Sequence, residues 1–182
     1  MGSMTKKKVS IYVADADTDV NTLVEDDKLK GEIREYDIGG GDQEFETEDV
    51  FGGQVDVVNP REQFELELTL RPQLEYVGRF QELAMGFEEI DTEKVYAPAK
   101  EQTPKLFVIE ATDGNGNAET WAFNKARNVT FNFNQDAEEA REGTVSFNIS
   151  PENSEGTPNV AYMKTDVSEF KTWSAIADAF SG

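Results

Sequence analysis

Residues 62–87 read EQFELELTLRPQLEYVGRFQELAMGF, and this stretch contains the strongest secondary-structure signals in the chain. In its first nine residues apolar and polar side chains alternate, which is typical of a β-strand with one buried face. The apolar face carries Phe64, Leu66, Leu68 and Leu70. Glu65 and Glu67 therefore share the opposite, polar face.

The second part of the stretch predicts an amphipathic helix over residues 72–86. Pro72 suits the first turn of a helix, and Gly86 marks its end. The apolar residues at helical spacing are Tyr76, Phe80, Leu83, Ala84 and Phe87. We expect this face to pack against a sheet, with no cofactor involved.

Further strands are predicted on both sides of this stretch, from alternation and from turn residues such as DGNGN at 113–117. They cover residues 8–13, 29–38, 54–58, 106–112, 119–125, 128–134, 143–149 and the VAYMKTD segment. Residues 14–28 and 88–104 are predicted as loops, and 168–180 as a short terminal helix or arm. The predicted fold is mainly β, a sandwich or barrel of about seven to nine strands with one flanking helix.

Composition excludes several classes of function. The chain of 182 residues has no Cys and no His, which removes disulfides, thiolate nucleophiles, the usual zinc sites and His-dependent triads. Its net charge is −20, so recognition of duplex nucleic acid through cationic groups is not expected. No apolar run is long enough to cross a membrane, and no membrane partner is predicted.

Residues 31–53 read GEIREYDIGGGDQEFETEDVFGG and pass from a strand into an acidic, glycine-containing segment. A dinucleotide fingerprint needs glycines at defined offsets before a helix, and a P-loop needs a Lys after its last glycine. Here the glycines at 39–41 are contiguous, and acidic residues follow them. The segment is therefore not predicted to bind phosphate.

Two acidic loops have part of the spacing of a calcium loop. Asp15, Asp17 and Asp19 match the first ligand positions, but Val20 stands where a glycine is needed. The segment Asp113–Asn117 has the same early spacing, and a hairpin turn is the preferred interpretation. No metal site and no cofactor are predicted.

A carboxylate pair on one strand is a possible glycosidase signature. Glu65 and Glu67 lie about 7 Å apart along a strand, within the range used by inverting glycosidases. In so acidic a chain such a pair arises often by chance, and the neighbouring aromatic residues belong to the core face. A solvated strand surface is the preferred interpretation, and no catalytic residue is predicted.

The order of these elements resembles that of a major tail protein, the tail tube subunit of long-tailed bacteriophages and related viruses. The resemblance covers residues 29–150, from GEIREYDIGGGDQEFETEDVFGGQVDVVNP through FELELTL, one amphipathic helix and two or three strand pairs. It implies a β-sandwich flanked by one helix, forming a single tail-tube-like domain over residues 1–182. Within it lie an N-terminal strand and arm (1–28), a protruding inter-ring loop (39–53) and a C-terminal helix or arm (168–182).

The resemblance implies a structural virion protein without enzymatic activity, which self-assembles into stacked, hexameric rings. The inter-ring stacking loop would contain Gly39, Gly40, Gly41, Asp42, Phe45, Val50, Phe51, Gly52 and Gly53. The candidate acidic residues facing the lumen are Glu32, Glu65 and Glu67. The genome would pass through this lumen without specific binding.

The partners that the resemblance implies are other copies of the chain and tape-measure, tail terminator and baseplate proteins. The expected location is the virion tail, after assembly in the host cytoplasm. Two alternatives stay open at this point: a tube protein of a type VI or contractile injection system, and a non-viral, calcium-dependent β-sandwich binding module.

Overall fold

The computed structural model describes residues 8–72, 87–91, 95–134, 142–165 and 172–182. The strands are β1 (Lys8–Asp15), β2 (Gly31–Gly40), β3 (Phe45–Val50), β4 (Gly53–Val58), β5 (Phe64–Pro72), β6 (Phe87–Asp91), β7 (Val95–Pro98), β8 (Lys105–Thr112), β9 (Ala118–Asn134), β10 (Glu142–Ile149) and β11 (Val160–Thr165). Two 3-10 turns cover Val20–Thr22 and Glu25–Asp27, and helix α1 covers Ser174–Ser181. No helix among these residues is long and apolar enough to span a membrane.

Seven strands form one antiparallel sheet, which folds into two layers through the long strand β9. Residues 118–126 of β9 pair with β8 and β11, and residues 127–134 pair with β10. Between the two parts, Lys125 and Asn128 have φ angles of 65° and 53°, which bend the strand. We name β1, β8, residues 118–126 and β11 the helix-side layer. We name residues 127–134, β10, β5 and β2 the open layer.

The main hydrophobic core lies between the two layers. Leu66, Leu68 and Leu70 are buried in it from the open layer. The ring of Phe147 on β10 lies 4.7 Å from that of Phe107 on β8, centroid to centroid. Because β8 and β10 are not neighbours in the sheet, this contact joins the layers face to face.

A second apolar cluster covers the outer face of the helix-side layer. Leu106 and Val108 point to this side of β8, while Phe107 and Ile109 point into the main core. Helix α1 contributes Ile176 to this cluster. Strand β8 is thus buried on both faces, which explains the continuous apolar run at 106–109.

The predicted fold class is confirmed: the chain is mainly β, with a sheet of seven strands and a helix on one side. The residues predicted as a loop at 14–28 fold back onto the helix-side layer. There the side chain of Val20 is buried, and the N–H of Leu29 donates to the carbonyl of Ile11 at 2.8 Å.

Several predicted boundaries were wrong. Residues 88–104 are not all loop, because they contain most of the β6–β7 hairpin. The strands predicted at 119–125 and 128–134 are one continuous strand, β9. The strand bends where Lys125 and Asn128 have positive φ angles, and no glycine or proline marks the bend in the sequence.

The helix predicted at 72–86 does not begin at Pro72. This residue ends β5 and pairs with Gly31 of β2, and a strand end tolerates a missing N–H donor. The rest of that prediction, residues 73–86, lies outside the described residues. The predicted terminal helix begins at Ser174, and residues 168–171 also lie outside them.

Candidate assembly surface

The outer face of the open layer carries the three predicted acidic residues. On β5, Glu65 and Glu67 are exposed between the buried leucines. Glu32 on the neighbouring strand β2 is also exposed, beside Ile33, which packs against the core. Because side chains alternate across a strand, Glu32, Glu65 and Glu67 share this face.

The same face contains two acidic residues that the sequence analysis missed, Glu35, which is opposite Thr69 on β5, and Asp37. Asp37 on β2 is directly opposite Glu67 on β5, and Ser146 on β10 is opposite Glu67 on the other side. A register shift between Ile33 and Glu35 moves Asp37 onto this face. The signal was present in the sequence, because the apolar residues of β2 break strict alternation after Ile33.

The charges on this face are only partly compensated. Two ion pairs lie at one end of the face: Glu32 with Arg34 at 2.8 Å, and Glu142 with Arg71 at 3.8 Å. In the part of the chain that the structure describes, no cation lies within ion-pair distance of Glu65, Glu67 or Asp37. Like charges directly opposite each other destabilise a sheet, so this arrangement does not serve the stability of the fold.

Strands β10 and β9 continue the face with neutral polar residues. The hydroxyl groups of Thr130 and Ser146 are hydrogen-bonded at 2.7 Å. Asn148 is exposed next to Glu65 in register. The face is therefore acidic on β2 and β5 and mostly neutral and polar towards β9, where the exposed cation Arg127 lies opposite Asn148.

The open layer has two open edges. Strand β2 pairs with β5 alone, and residues 127–134 of β9 pair with β10 alone, as far as the described residues show. Each edge presents a row of backbone N–H and C=O groups to a further strand. The open layer can thus add a strand on either side.

A hairpin arm extends from one end of the open layer. Strands β3 and β4 pair over their full length, and their turn contains Phe51 and Gly52. Phe51 is fully exposed, at 111% of its reference area. Within the described residues, β3 and β4 pair with no other strand, so the arm forms a sheet of its own.

The predicted stacking loop at 39–53 covers only part of this arm. Gly39 and Gly40 end β2, and Gly41 and Asp42 follow it; Phe45, Val50, Phe51, Gly52 and Gly53 form β3, the turn and the start of β4. The arm continues through β4 to Val58, because a hairpin requires a returning strand. Five of the nine predicted residues thus lie in the arm itself, and the other four lie at the end of β2 or in the connection to the arm.

The root of the arm is held by backbone hydrogen bonds and by two glycines. The N–H of Gly41 donates to the carbonyl of Gln63 at 3.2 Å. Gly40 and Gly41 both have φ of 76°, in the left-handed region that favours glycine. A Cβ at Gly40 would collide with the backbone of Gln63, and one at Gly41 with the ring of Phe64. The contiguous glycines therefore set the angle at which the arm leaves the sheet.

The two acidic loops have structural roles. Asp15 pairs with Lys105 at 2.6 Å, and the side chain of Asp19 accepts the N–H of Asn21 at 2.9 Å. Asp113 accepts hydrogen bonds from Asn117 and the N–H of Asn115, and the Asn117 side chain in particular lowers the pKa of this carboxyl. Asp113 thus closes the turn between β8 and β9. Over the described ranges, no cluster of three acidic residues has metal-binding geometry.

Comparison with known proteins identifies the fold. No family model matches the chain, and no curated protein matches it. A chain of the sheath-tube complex of PVC, an extracellular contractile injection system in the extended state, is similar with a TM-score of 0.51 and 13% identity over 87% of this chain and 89% of that chain. A chain of the anti-feeding prophage cap, an AFP tube terminating cap, has a TM-score of 0.45 and 13% identity over 85% and 88% of the two chains.

At 13% identity the first comparison shows a shared fold. The chain therefore has the fold of a subunit in the sheath-tube complex of a contractile injection system.

Proposed function

We propose that the chain is a structural subunit that self-assembles into rings, and that these rings stack into a tail-like tube. The observation that carries this proposal is the open layer, which combines two open strand edges with an acidic outer face. The shared fold with a sheath-tube subunit supports it. No catalytic role is proposed.

Ring formation follows from the open edges. Strand β2 of one copy would pair with residues 127–134 of β9 in the next, and a closed ring would leave no edge free. Closure removes the backbone groups that otherwise promote uncontrolled aggregation. We propose six copies for each ring, by resemblance to tail tube proteins.

The outer face of the open layer would line the lumen. DNA carries about one charge per 1.7 Å of axis, and a cationic wall would retain it by releasing counterions. A wall bearing Glu32, Glu65 and Glu67 repels DNA over a Debye length of about 8–10 Å near physiological salt. Such a wall favours fast transit of a genome without binding.

The hairpin arm would connect successive rings. Its exposed tip residue, Phe51, is an apolar anchor that solvent does not favour. The glycines at its root, Gly40 and Gly41, fix the direction in which it projects. We propose that the tip contacts the next ring in the stack.

A second candidate function is the tube of a contractile injection system. The fold comparison favours it, because that complex contains both a sheath and a tube. On this alternative the lumen would hold an effector in place of DNA. Tape-measure, terminator and baseplate proteins are the proposed further partners in a phage, with the virion tail as the location.

The proposal is tested by negative-stain electron microscopy and light scattering over a range of protein and salt concentrations. We expect rings or tubes with a central hole. A monomer at every concentration would contradict the proposal, and the calcium-dependent melting expected of a binding module would then be measured.

A further inference from the structure

The charges of this chain are segregated around the hairpin arm. Residues 42–58 contain six acidic residues and no Lys or Arg. An isolated two-stranded hairpin is at best marginally stable in water. The arm is therefore suited to lie against a cationic surface that also stabilises it.

A groove with the complementary charge lies at the end of the sandwich from which the arm leaves. Its larger part, of about 730 Å³, is lined by Lys125 and Arg127. A second part, of about 530 Å³, is lined by Arg61 and Gln43 at the root of the arm. The two parts share five lining residues, Gln63, Ser150, Glu152, Asn153 and Ser154. Glu152 is the one carboxylate among the described residues that line this cationic groove.

The cations of this groove are only weakly engaged within their own chain. Arg61 donates to the backbone carbonyl of Gly41 at 3.0 Å, and Lys125 lies 3.4 Å from the Asp17 carboxylate. Arg127 is exposed, and no carboxylate of the described residues lies within ion-pair distance of it. In a chain with 37 acidic and 17 basic residues, three cations around one groove are a notable concentration.

We infer that the cationic groove binds the hairpin arm of a neighbouring copy in the same ring. The inference rests on the proposed function, since it needs assembled copies. Each copy presents its groove and the root of its arm at the same end. Copies related by rotation within a ring present those ends at one level, whereas a stacked copy presents its opposite end. Strands of six residues give the arm a reach of about 20 Å beyond its root.

This arrangement divides the arm into two functional parts. The acidic shaft contacts the neighbour in the ring and gains charge-assisted contacts there. The tip, with Phe51, is left to contact the next ring. Binding of the shaft would therefore order the arm before stacking.

The first test uses the absence of native cysteine. Glu48→Cys on the arm and Ser154→Cys in the groove are purified separately, given tags of different size, mixed and oxidised. We expect a disulfide-linked heterodimer, which can form only between two copies. A mixture of Glu48→Cys with Lys164→Cys is the matched control and should give none, since Lys164 on β11 is exposed, as Ser154 is, but lies outside the groove.

The second test reverses the charges. Arg127→Glu should raise the protein concentration needed for half-assembly about tenfold, because it places like charges at each contact. Glu46→Lys combined with Glu48→Lys should have a similar effect alone. The three substitutions together should restore assembly. The melting temperature of unassembled Arg127→Glu should match that of the unchanged protein, since Arg127 is exposed.

The outcomes separate this inference from the proposed function. The protein could form rings or tubes by microscopy but give no heterodimer and no rescue by the combined charge reversal. This result would overturn the inference and leave the proposed function standing. A heterodimer that forms in stacked tubes but not in single rings would overturn the placement within one ring. Failure of the unchanged protein to form any ring would overturn both.

Discussion

At the scale of single residues, the glycines at the root of the hairpin arm are the most constrained positions. Gly39 has open space around its Cα, whereas Gly40 faces the backbone of Gln63 and has positive φ. Adjacent positions thus differ sharply in what they tolerate. The sequence shows three equivalent glycines, so this difference follows only from the structure.

We predict that Gly40→Ala destabilises the protein by about 1–3 kcal/mol, because it combines a backbone collision with a left-handed φ. The control, Gly39→Ala, should change the free energy of unfolding by less than about 0.5 kcal/mol. Urea denaturation of both variants measures this. Equal stability of the two would contradict the geometry of the root.

Glu25 holds the loop between β1 and β2 through two lysines. Its carboxylate lies 2.6 Å from Lys28 and 3.0 Å from Lys30, and the hydrogen bond from Lys28 contributes most to lowering its pKa to about 2. The folded pKa lies below the ordinary value of 4.5, so the stabilisation is present above pH 4.5 and is lost as pH falls towards 2.

We predict that Glu25→Gln lowers the melting temperature at pH 7 and that this difference disappears as pH falls from 4.5 to 2. Asp26→Asn, at an exposed neighbour without an ion pair among the described residues, is the control and should show no such convergence. Thermal melts across this pH range measure both. A gap between Glu25→Gln and the unchanged protein that persists at pH 2 would contradict the assignment.

At this scale the sequence predicted the shared face of Glu65 and Glu67, because period-two alternation is a local property. It missed Asp37, although the spacing of Ile33, Tyr36 and Ile38 already shows the break in alternation that the pairing of β2 with β5 confirms. The cationic groove was also missed. Lys125 and Arg127 are far from Arg61 in sequence and are brought together by the fold.

At the scale of elements, the hairpin arm is separable from the sandwich. Its strands pair only with each other among the described residues, and the root is closed below them by a hydrogen bond from the N–H of Glu62 to the carbonyl of Asp42, at 2.8 Å. Removal of the arm should therefore leave the core intact.

We predict that replacing residues 45–58 by an Asn-Gly turn leaves the urea midpoint nearly unchanged and abolishes tubes. Single rings should still form through the proposed edge pairing. They should need a higher protein concentration, because the contact between the arm and the groove of the neighbouring copy is lost. Electron microscopy and sedimentation velocity measure the outcome. Phe51→Ser, which keeps the arm, is the matched variant and should weaken stacking alone. If the deletion variant formed normal tubes, the arm would not be needed for assembly.

The strands were predictable where alternation extends over six or more residues, as in β5 and β10, or where a continuous apolar run occurs, as at 106–109 in β8. The β6–β7 hairpin was missed because its strands are short and lie in a polar, proline-containing stretch. The bend in β9 was predicted as a break between two strands, because nothing in the sequence around Lys125, such as a glycine, indicates its positive φ. The predicted start of the helix at 72–86 was wrong, because Pro72 belongs to β5 and pairs with Gly31 of β2.

At the scale of the whole molecule, the acidic residues that give the net charge of −20 are concentrated on particular surfaces. Acidic residues dominate the outer face of the open layer and the hairpin arm. Three cations, Arg61, Lys125 and Arg127, line the groove beside these acidic surfaces. The sequence predicted the charge and the β class, whereas the layering and the open edges follow from pairing between distant strands.

We predict that Glu65→Lys combined with Glu67→Lys makes the assembled protein retain duplex DNA, whereas the unchanged assembly retains none. The affinity of the variant should fall steeply with salt, as expected for counterion release. Glu101→Lys combined with Asp26→Lys has the same net charge and is the control, with little retention expected. Co-sedimentation of DNA with tubes measures this. Equal retention by the two variants would exclude the face of Glu65 and Glu67 as the DNA-facing wall.

The central claim is that the outer face of the open layer lines the lumen of a tube. A gold cluster attached to Glu67→Cys tests it directly, because the chain has no other cysteine. Electron microscopy of the labelled assembly should show tubes or rings with gold density along the central channel. Gold density on the outer wall of the tubes would contradict this claim. It would also be contradicted if both the labelled protein and its unlabelled parent stayed monomeric at every concentration.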